Sequence, residues 1–309
     1  MNTAHVYDMI VVGGGAGGYT AALYAARAGL DTLVLEKLYA GGQMTQTHQI
    51  DNYPGFPEGI DGFDLSMRMQ QQAERFGAKS QLAEVVKLDL AADPKVVETS
   101  DGVLLARTVV LSTGAGPRKL GLPREDELLG RGVAYCATCD GMFYRGKTVV
   151  VVGGGNTAAA DALHLSRIAK KVIVVHRRDT LRATKIYHEP LFAAENVEFR
   201  WNSTIAEILH GDVVTGVRLQ DVNTGNESVL ACDGVFVSVG RVPATELLRD
   251  QVVLDDNGYI VADESTETSV PGVYAVGDVR AKTVRQIVTA VADGAAAVHH
   301  AEEYLASRG

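Results

Sequence analysis

The sequence has little of what marks secreted, nucleic-acid-binding or membrane-spanning proteins. Its 309 residues contain three cysteines, too few for the disulfide framework of a secreted domain. Acidic residues outnumber basic ones by 38 to 29, and no basic stripe with interleaved aromatics appears, so we expect no nucleic-acid partner. The longest apolar runs are only as long as strands, so we expect no membrane association. Residues 1–7 lack the apolar core of a signal peptide, and the expected location is therefore the cytoplasm.

Aromatic residues are also few, whereas glycine is abundant. The chain has 33 glycines and 6% aromatic residues. This balance suits an α/β fold, in which many tight turns join strands to helices. A chain of this length has room for two domains and can bury a full hydrophobic core.

The first glycine-rich turn lies between a short apolar run and an alanine-rich helix near the N-terminus. Its pattern is G-x-G-x-x-G, and the strand after the helix, residues 32–35, leads directly to the acid Glu36. This combination predicts a dinucleotide site, although such a turn also occurs without a ligand. Gly13 would form the tight turn, Gly15 would let a pyrophosphate approach the backbone, and Gly18 would let the helix lie close to the sheet. The diphosphate would rest on the helix N-terminus, and Glu36 would bind the ribose hydroxyls.

A second glycine-rich turn follows the strand at residues 148–152. The strand after its helix ends not in an acid but in His176-Arg177-Arg178, with Arg182 one turn beyond. Cationic side chains at this point select for a 2′-phosphate. The second site should therefore bind NADP, and the first a dinucleotide with free ribose hydroxyls. The alternative interpretation of the arginines is a solvated loop.

Two cysteines, Cys136 and Cys139, stand just before the second turn and are followed at once by Asp140. A C-x-x-C pair near a strand–helix–strand pattern indicates redox chemistry, in which one thiolate attacks a disulfide and the second resolves the mixed disulfide. The alternative is half of a zinc site, which would need a second Cys or His pair. Cys232 stands alone, and the two adjacent histidines near the C-terminus lack ligand spacing. The sequence therefore favours a redox pair and predicts no metal.

Further turns and strand ends could line a cofactor. Residues 41–43 and 51–55 are polar turns, which could also be plain surface loops. Residues 111–117 end a buried strand and indicate a domain boundary. Near the C-terminus a strand ends at residues 277–278, and residues 285–287 open an alanine-rich helix. An Asp between a strand end and a helix N-terminus can bind a sugar hydroxyl.

Together these features resemble the low-molecular-weight thioredoxin reductases over the whole length of the chain. The most specific match is Cys136-Ala137-Thr138-Cys139-Asp140-Gly141, which stands between an FAD-type turn and an NADPH-type turn. The resemblance implies an α/β fold with two three-layer, Rossmann-like dinucleotide-binding domains, and a homodimer. It implies a discontinuous FAD-binding domain in residues 1–116 and 244–309. The inserted NADPH-binding domain, residues 117–243, would carry the redox disulfide.

The resemblance further implies an NADPH-dependent thioredoxin-disulfide reductase with Cys136, Cys139 and Asp140 as catalytic residues. Hydride would pass from NADPH to FAD, and electrons would then pass to the disulfide and to oxidised thioredoxin. Cys139 would face the flavin, Cys136 would attack the partner, and Asp140 would be the general acid. The residues expected to bind FAD or NADPH are Gly13, Gly14, Gly15, Ala16, Gly17, Gly18, Glu36, Lys37, Gly42, Gln43, Asn52, Thr113, Gly114, Ala115, Gly153, Gly155, Asn156, Thr157, His176, Arg177, Arg178, Arg182, Arg241, Gly277, Asp278, Arg285, Gln286 and Ile287.

Three other functions stay open at this point. A flavoprotein reductase for another carrier, such as a glutaredoxin-like protein or a peroxiredoxin system, is compatible with Met142, which stands where the family often has an aromatic residue. A non-catalytic thiol sensor would also hold both cofactors, but two complete cofactor sites beside a charged resolving pair favour an enzyme. A zinc-binding interaction module is the third.

Overall fold

The computed structural model describes residues 5–37, 39–47 and 49–308. The chain divides into two compact units. One comprises the residues up to Gly116 and from Val242 onward, and the other comprises Pro117–Arg241. The chain therefore leaves the first unit once, completes the second, and returns to the first.

The described chain contains far more strands than α-helices, and the two alternate mainly around the two glycine turns. The strands are β1 (Val6–Val12), β2 (Thr32–Glu36), β3 (Lys79–Leu82), β4 (Val85–Asp89), β5 (Lys95–Thr99), β6 (Gly102–Leu111), β7 (Ala115–Pro117), β8 (Val133–Ala134), β9 (Thr148–Val152), β10 (Lys171–Val175), β11 (Val197–Arg200), β12 (Ser203–His210), β13 (Val214–Asp221), β14 (Glu227–Ala231), β15 (Gly234–Val237), β16 (Arg241–Pro243) and β17 (Val273–Ala275). The α-helices are α1 (Ala16–Arg27), α2 (Gly62–Arg75), α3 (Ala137–Asp140), α4 (Asn156–Ser166), α5 (His188–Ala193) and α6 (Ile287–Ala306). Short 3-10 helices lie at Gly42–Gln46, Gly141–Tyr144, Lys185–Tyr187, Glu246–Leu248 and Gly277–Val279. Within the described ranges, no helix has both the length and the apolar character needed to cross a membrane.

The first unit is built on a seven-stranded sheet with the order β3-β2-β1-β6-β5-β4, and β17 also pairs with β6. β1 is parallel to β2 and β6, so their carboxyl ends meet at one edge, where Val12 pairs with Leu35 and Leu111. These strands are nearly continuous apolar runs because both of their faces are covered. On one face α1 and α6 approach closely, since a Cβ at Gly17 or Gly294 would press on the backbone of the other helix.

The second unit has a five-stranded parallel sheet with the order β11-β10-β9-β15-β8. Successive valines of β9 point to opposite faces, as the pleat of a strand requires. Val151 packs with Leu165 of α4, and Val150 packs with Val217 of the antiparallel sheet β12-β13-β14. Both units contain a strand, a glycine turn, a helix and a parallel strand in succession, so the predicted α/β fold with two Rossmann-like units is confirmed.

Two short strands, β7 and β16, pair where the chain crosses between the units. On the side of the first unit, the Ala244 N–H donates to the Gly114 carbonyl at 3.0 Å, and the Thr113 hydroxyl donates to the Ala244 carbonyl at 2.7 Å. On the side of the second unit, the Arg118 N–H donates to the Gly240 carbonyl at 2.9 Å. The two connecting segments are therefore tied to each other by backbone hydrogen bonds and by one hydrogen bond from a side chain.

Candidate active site

The first glycine turn joins β1 to α1, and its glycines are required for different reasons. Gly13 has a φ of +99°, and a Cβ there would collide with the carbonyl oxygen of Ser112. A Cβ on Gly18 would collide with the carbonyl oxygen of Gly13, so α1 lies directly on the turn. Gly15 differs, because no atom of the described residues lies within 4 Å of its Cβ position. This open space lies at the N-terminus of α1, where backbone N–H groups and the helix dipole favour a phosphate.

Glu36 ends β2 and turns its carboxylate back to this glycine turn. Its Oε1 accepts a hydrogen bond from the Gly14 N–H at 2.5 Å. Burial raises the pKa of Glu36, and the backbone N–H groups of Gly14 and Lys37 oppose that rise. The Lys37 side chain points to the surface, where its Nζ pairs with Glu84 at 2.7 Å. Glu36 therefore braces the turn as well as providing an acid at the strand end, a second role that the sequence pattern does not reveal.

Segments far apart in the sequence meet around the N-terminus of α1. The Gly41 N–H donates to the carbonyl of Gly14 at 2.9 Å. The Cβ position of Gly17 lies 3.4 Å from the backbone nitrogen of Gly277. The polar turn at residues 41–43 and the strand end at residues 277–278 are thus brought to the same glycine turn, as a dinucleotide site requires.

Polar side chains of the predicted cofactor set connect these segments to one another. Asn52 Nδ2 donates to Gln286 Oε1 at 3.0 Å. Gln43 Nε2 donates to the carbonyl oxygen of Ala115. These contacts hold the loops after β2 against the residue before α6 and against the first residue of β7.

Arg285 fixes the backbone next to Asp278. Its guanidinium carbon lies 3.9 Å from the centroid of the Tyr259 ring, a cation–π contact. The same side chain donates to the carbonyl oxygens of Asp278 and Arg280, each at 3.4 Å. α6 begins at Ile287, so the turn, the arginine and the helix N-terminus form one rigid corner.

The second glycine turn, between β9 and α4, repeats the arrangement of the first. Gly153 has a φ of +144°, and a Cβ there would collide with the carbonyl oxygen of Ser238. Gly155 faces open space, with no described atom within 4 Å of its Cβ position. Asn156 Oδ1 accepts from the Thr184 N–H at 2.8 Å and so holds the neighbouring loop. This turn also has room for a phosphate at a helix N-terminus.

The four cationic residues predicted at the end of β10 do not share one environment. Arg177, Arg178 and Arg182 are exposed. His176 is only 4% exposed, and its ring fills the space beside Gly154, where a Cβ would collide with it. Burial, followed by the charges of Arg182 and Arg178, lowers the pKa of His176, and among the described residues its Nε2 has no hydrogen-bond partner. His176 is therefore a neutral packing group, and the three arginines supply the positive charge.

Cys136 and Cys139 form a disulfide, with their Cα atoms 5.3 Å apart. Cys136 precedes α3, and its carbonyl accepts from the Asp140 N–H at 3.0 Å. Cys136 and Cys139 are partly exposed, and Thr138 between them is exposed. Cys232, in contrast, is buried, which raises its pKa to about 12. Within the described part of the chain, no group of three or more His, Cys, Asp or Glu residues could hold a metal. The arrangement can thus exchange with an external disulfide through Cys136 and Cys139 but not through Cys232.

The chain that carries these two glycine turns and this disulfide matches a known protein family. The profile of the pyridine nucleotide-disulphide oxidoreductases matches residues 7–294. The chain belongs to this family.

Several thioredoxin reductases are similar to this chain over nearly its full length. The thioredoxin reductase of Streptomyces clavuligerus is 49% identical over 305 residues, which cover 98% of this chain and 95% of the relative. That of Listeria monocytogenes is 46% identical, with 97% and 94% covered. The crystal structure of thioredoxin reductase from Streptococcus pyogenes superposes with a TM-score of 0.90 at 44% identity, over 99% of this chain and all of that one. The resemblance to thioredoxin reductases seen in the sequence is therefore confirmed.

In this pyridine nucleotide-disulphide oxidoreductase, a partly buried hydrogen bond that the sequence did not predict anchors the redox segment. Tyr135, directly before Cys136, donates its hydroxyl to Glu125 Oε1 at 2.7 Å. Glu125 is 3% exposed and also accepts from the N–H groups of Leu120 and Gly121, each at 2.9 Å. Burial and then the contact with Glu125 raise the pKa of Tyr135, which keeps the hydroxyl protonated as the donor. No local pattern could have found this pair, because the partners meet only in the folded chain.

A buried ion network, also absent from the sequence predictions, supports the turn at Gly277. Asp293 on α6 accepts from the Gly277 N–H at 2.8 Å, from Arg280 Nη2 at 2.8 Å and from Lys282 Nζ at 2.7 Å. The side chains of Arg280, Lys282 and Asp293 are 13%, 9% and 6% exposed. An acid within an otherwise alanine-rich helix is the one sequence feature that could have pointed to it.

Proposed function

We propose that this protein is an NADPH-dependent thioredoxin reductase that uses FAD. The observation that carries the proposal is the partly exposed Cys136–Cys139 disulfide, which belongs to the same compact unit as a dinucleotide-type turn with exposed arginines. The names of the relatives support thioredoxin as the partner, and family membership supports a flavin with a pyridine nucleotide.

FAD is assigned to the first unit because the residues there fit it. The open space at Gly15 suits a pyrophosphate, and the carboxylate of Glu36 suits ribose hydroxyls and would repel a 2′-phosphate. Asp278, in the turn beside α1, would bind the ribityl chain, and Arg285 would border the flavin ring. The other residues of this proposed site are Gly13, Gly14, Ala16, Gly17, Gly18, Lys37, Gly42, Gln43, Asn52, Thr113, Gly114, Ala115, Gly277, Gln286 and Ile287.

NADPH is assigned to the second unit. The open space at Gly155 suits a pyrophosphate, and three exposed arginines follow β10, where the 2′-phosphate of a nucleotide on this fold is bound. Guanidinium groups match a phosphate in geometry and charge. The buried ring of His176 would support the glycine turn by packing beside Gly154. The other residues of this proposed site are Gly153, Asn156, Thr157, Arg177, Arg178, Arg182 and Arg241.

The chain's own chemistry is thiol–disulfide exchange. When bound, the nicotinamide supplies a hydride and the flavin carries its electrons to the disulfide. Two electrons and two protons convert the Cys136–Cys139 bond into two thiols. The thiolate of Cys136 then attacks the partner disulfide and releases one partner thiolate; Cys139 breaks the mixed disulfide, releases the second and restores the enzyme disulfide. Asp140, next to Cys139, would act as the general acid.

We also propose a domain organisation, an assembly and a location for this protein. The FAD-binding domain would comprise residues 1–116 and 244–309, and the NADPH-binding domain residues 117–243. We infer a homodimer from the resemblance to thioredoxin reductases. A cytoplasmic location suits a reductase that must work where thiols are kept reduced.

The test is anaerobic reduction of the purified holoenzyme by NADPH, followed by turnover with oxidised thioredoxin. Cys139→Ser should still allow NADPH to bleach the flavin absorbance but should abolish thioredoxin reduction, because a single remaining thiol cannot complete the exchange. Cys232→Ala is the matched control and should keep turnover, since Cys232 is buried away from any partner. Near wild-type thioredoxin reduction by Cys139→Ser would refute the relay. Activity with a glutaredoxin-like carrier but not with thioredoxin would refute the partner.

A further inference from the structure

Met142 follows Cys139 of the redox disulfide by three residues, and its side chain is exposed. It belongs to the 3-10 helix Gly141–Tyr144, which follows α3 directly. Met142 is 48% exposed and its neighbour Phe143 is 52% exposed. The other methionines in the described ranges are buried or half-buried: Met9, Met44, Met67 and Met69. Oxidation of methionine follows exposure, so Met142 is the described methionine most open to an oxidant.

The sulfur of Met142 also has a cationic neighbour. Arg145 Nη2 donates toward Met142 Sδ at 3.8 Å. An oxygen added to this sulfur would carry much of the negative charge of the polar S–O bond. The exposed Arg145 side chain could donate to that oxygen, and a hydrogen bond from a guanidinium is stronger than a neutral one. The transition state already carries part of this charge on the transferred oxygen, so the contact should speed formation of the sulfoxide as well as stabilise it.

A protein partner that reaches the disulfide comes close to this surface, because the 3-10 helix follows α3 directly. Exchange requires a partner sulfur within bonding distance of Cys136, and α3 and the following 3-10 helix hold Met142 and Phe143 only six and seven residues away. Their exposed side chains offer an apolar contact to a docked protein. Methionine adapts to such contacts because its chain is flexible and apolar, whereas the sulfoxide is polar and disrupts interfaces that contain it.

We propose that Met142 is an oxidation site that controls docking of the protein partner at the Cys136–Cys139 disulfide, an inference that rests on the proposed function. Hydrogen peroxide is the oxidant. The sulfur lone pair attacks one peroxide oxygen, the O–O bond breaks, and after proton transfer the products are methionine sulfoxide and water.

The three cysteines do not intercept the oxidant in the disulfide form of the protein. The two redox sulfurs are already bonded to each other. Cys232 is buried and its pKa is raised to about 12, so it stays a protonated, shielded thiol. Met142 is thus the sulfur beside the partner's path that can react.

The test treats the FAD-containing enzyme, in its disulfide form, with hydrogen peroxide and removes the peroxide before assay. Peptide mass spectrometry should find one added oxygen atom on the Met142 peptide. The kcat/KM for oxidised thioredoxin should fall about fivefold or more, mainly through KM, as expected for damage at one interface residue. The thiols that NADPH generates at Cys136 and Cys139, counted by alkylation, should stay at two per chain, because this step needs no docked protein.

Two variants and one repair reaction complete the test. Met142→Leu keeps every other methionine, and its kcat/KM should be the same before and after peroxide. Arg145→Gln should form the sulfoxide several-fold more slowly than the wild type. A methionine sulfoxide reductase with dithiothreitol should restore the treated wild type.

Wild-type protein that is fully oxidised at Met142 yet reduces thioredoxin at its untreated rate would overturn the control of docking. Equal oxidation rates in Arg145→Gln and the wild type would overturn the role of Arg145. The proposed function fails differently, because untreated protein would then show no thioredoxin turnover, while the mass shift would still report on Met142.

Discussion

Replacing Asp293 with alanine should destabilise the first unit far more than the loss of an exposed ion pair does. Asp293 is the shared acceptor of Gly277, Arg280 and Lys282, at distances of 2.7 to 2.8 Å. Its own side chain is 6% exposed, and those of Arg280 and Lys282 are 13% and 9% exposed. Without Asp293, two buried cations and a backbone N–H lose their common partner.

The expected loss follows from that burial. Removing one member of a buried ion pair costs about 3–5 kcal/mol, because the remaining charge is left uncompensated. The pair Lys37–Glu84 has the same 2.7 Å separation but is 63% and 49% exposed, so it serves as the matched control. Glu84→Ala should cost at most about 1 kcal/mol. Lys282→Met combined with Asp293→Ala should cost less than the sum of the single changes, because it also removes a stranded cation.

The assay is urea unfolding of the cofactor-free protein, followed by far-UV circular dichroism. Trp201 is the chain's single tryptophan and belongs to the second unit, so its fluorescence reports on that unit. In Asp293→Ala, the urea midpoint given by fluorescence should therefore shift less than the midpoint given by circular dichroism. A loss for Asp293→Ala no larger than that for Glu84→Ala would refute the assignment of the network as a support of the Gly277 turn.

Three further predictions concern the glycine turns. Neutralising Arg177 and Arg178 together should weaken NADPH binding far more than NADH binding, since each charge-assisted contact to the 2′-phosphate contributes roughly 1.5–3 kcal/mol; equal losses in titrations of the two nucleotides would contradict this. Glu36→Ala should lower FAD retention, because the ribose and the Gly14 N–H both lose an acceptor; an unchanged flavin absorbance after dialysis would show the assignment to be wrong. Below about pH 6.5 His176 takes up a proton in the unfolded chain but resists it in the folded one, because burial lowers its pKa. The free energy of unfolding therefore falls as the pH falls. In urea unfolding, His176→Phe should reduce the dependence of this free energy on pH by up to about 1.4 kcal/mol per pH unit. An equal pH dependence in the wild type and in His176→Phe would show that other groups cause it.

Short-range patterns were sufficient to predict the fold class and the redox pair. A turn that needs a positive φ selects glycine at a defined place, as at Gly13 and Gly153, so the requirement is visible in the sequence. The C-x-x-C spacing likewise brings the Cα atoms of Cys136 and Cys139 to 5.3 Å, within reach of a disulfide.

The environment of a side chain could not be predicted in the same way. The sequence grouped His176 with the neighbouring arginines, whereas the structure buries its ring beside Gly154 and leaves the arginines exposed. Adjacent residues after a strand point in different directions, and only the packing of the surrounding loop decides which of them is covered. Lys37 shows the same limit, because its predicted place beside Glu36 did not reveal the ion pair with Glu84.

The sequence by itself determined the two dinucleotide-type turns, the redox pair and the family resemblance, because each depends on residues a few positions apart. Only the tertiary structure decided which acids support the turns of the proposed cofactor site. Glu36 reaches back 22 residues to Gly14, and Asp293 on α6 holds the N–H of Gly277, 16 residues earlier. Such contacts join residues on different elements, whose distances are set by how strands, helices and turns pack. A buried carboxylate is stable only where donors surround it, and that condition becomes visible once the chain has folded.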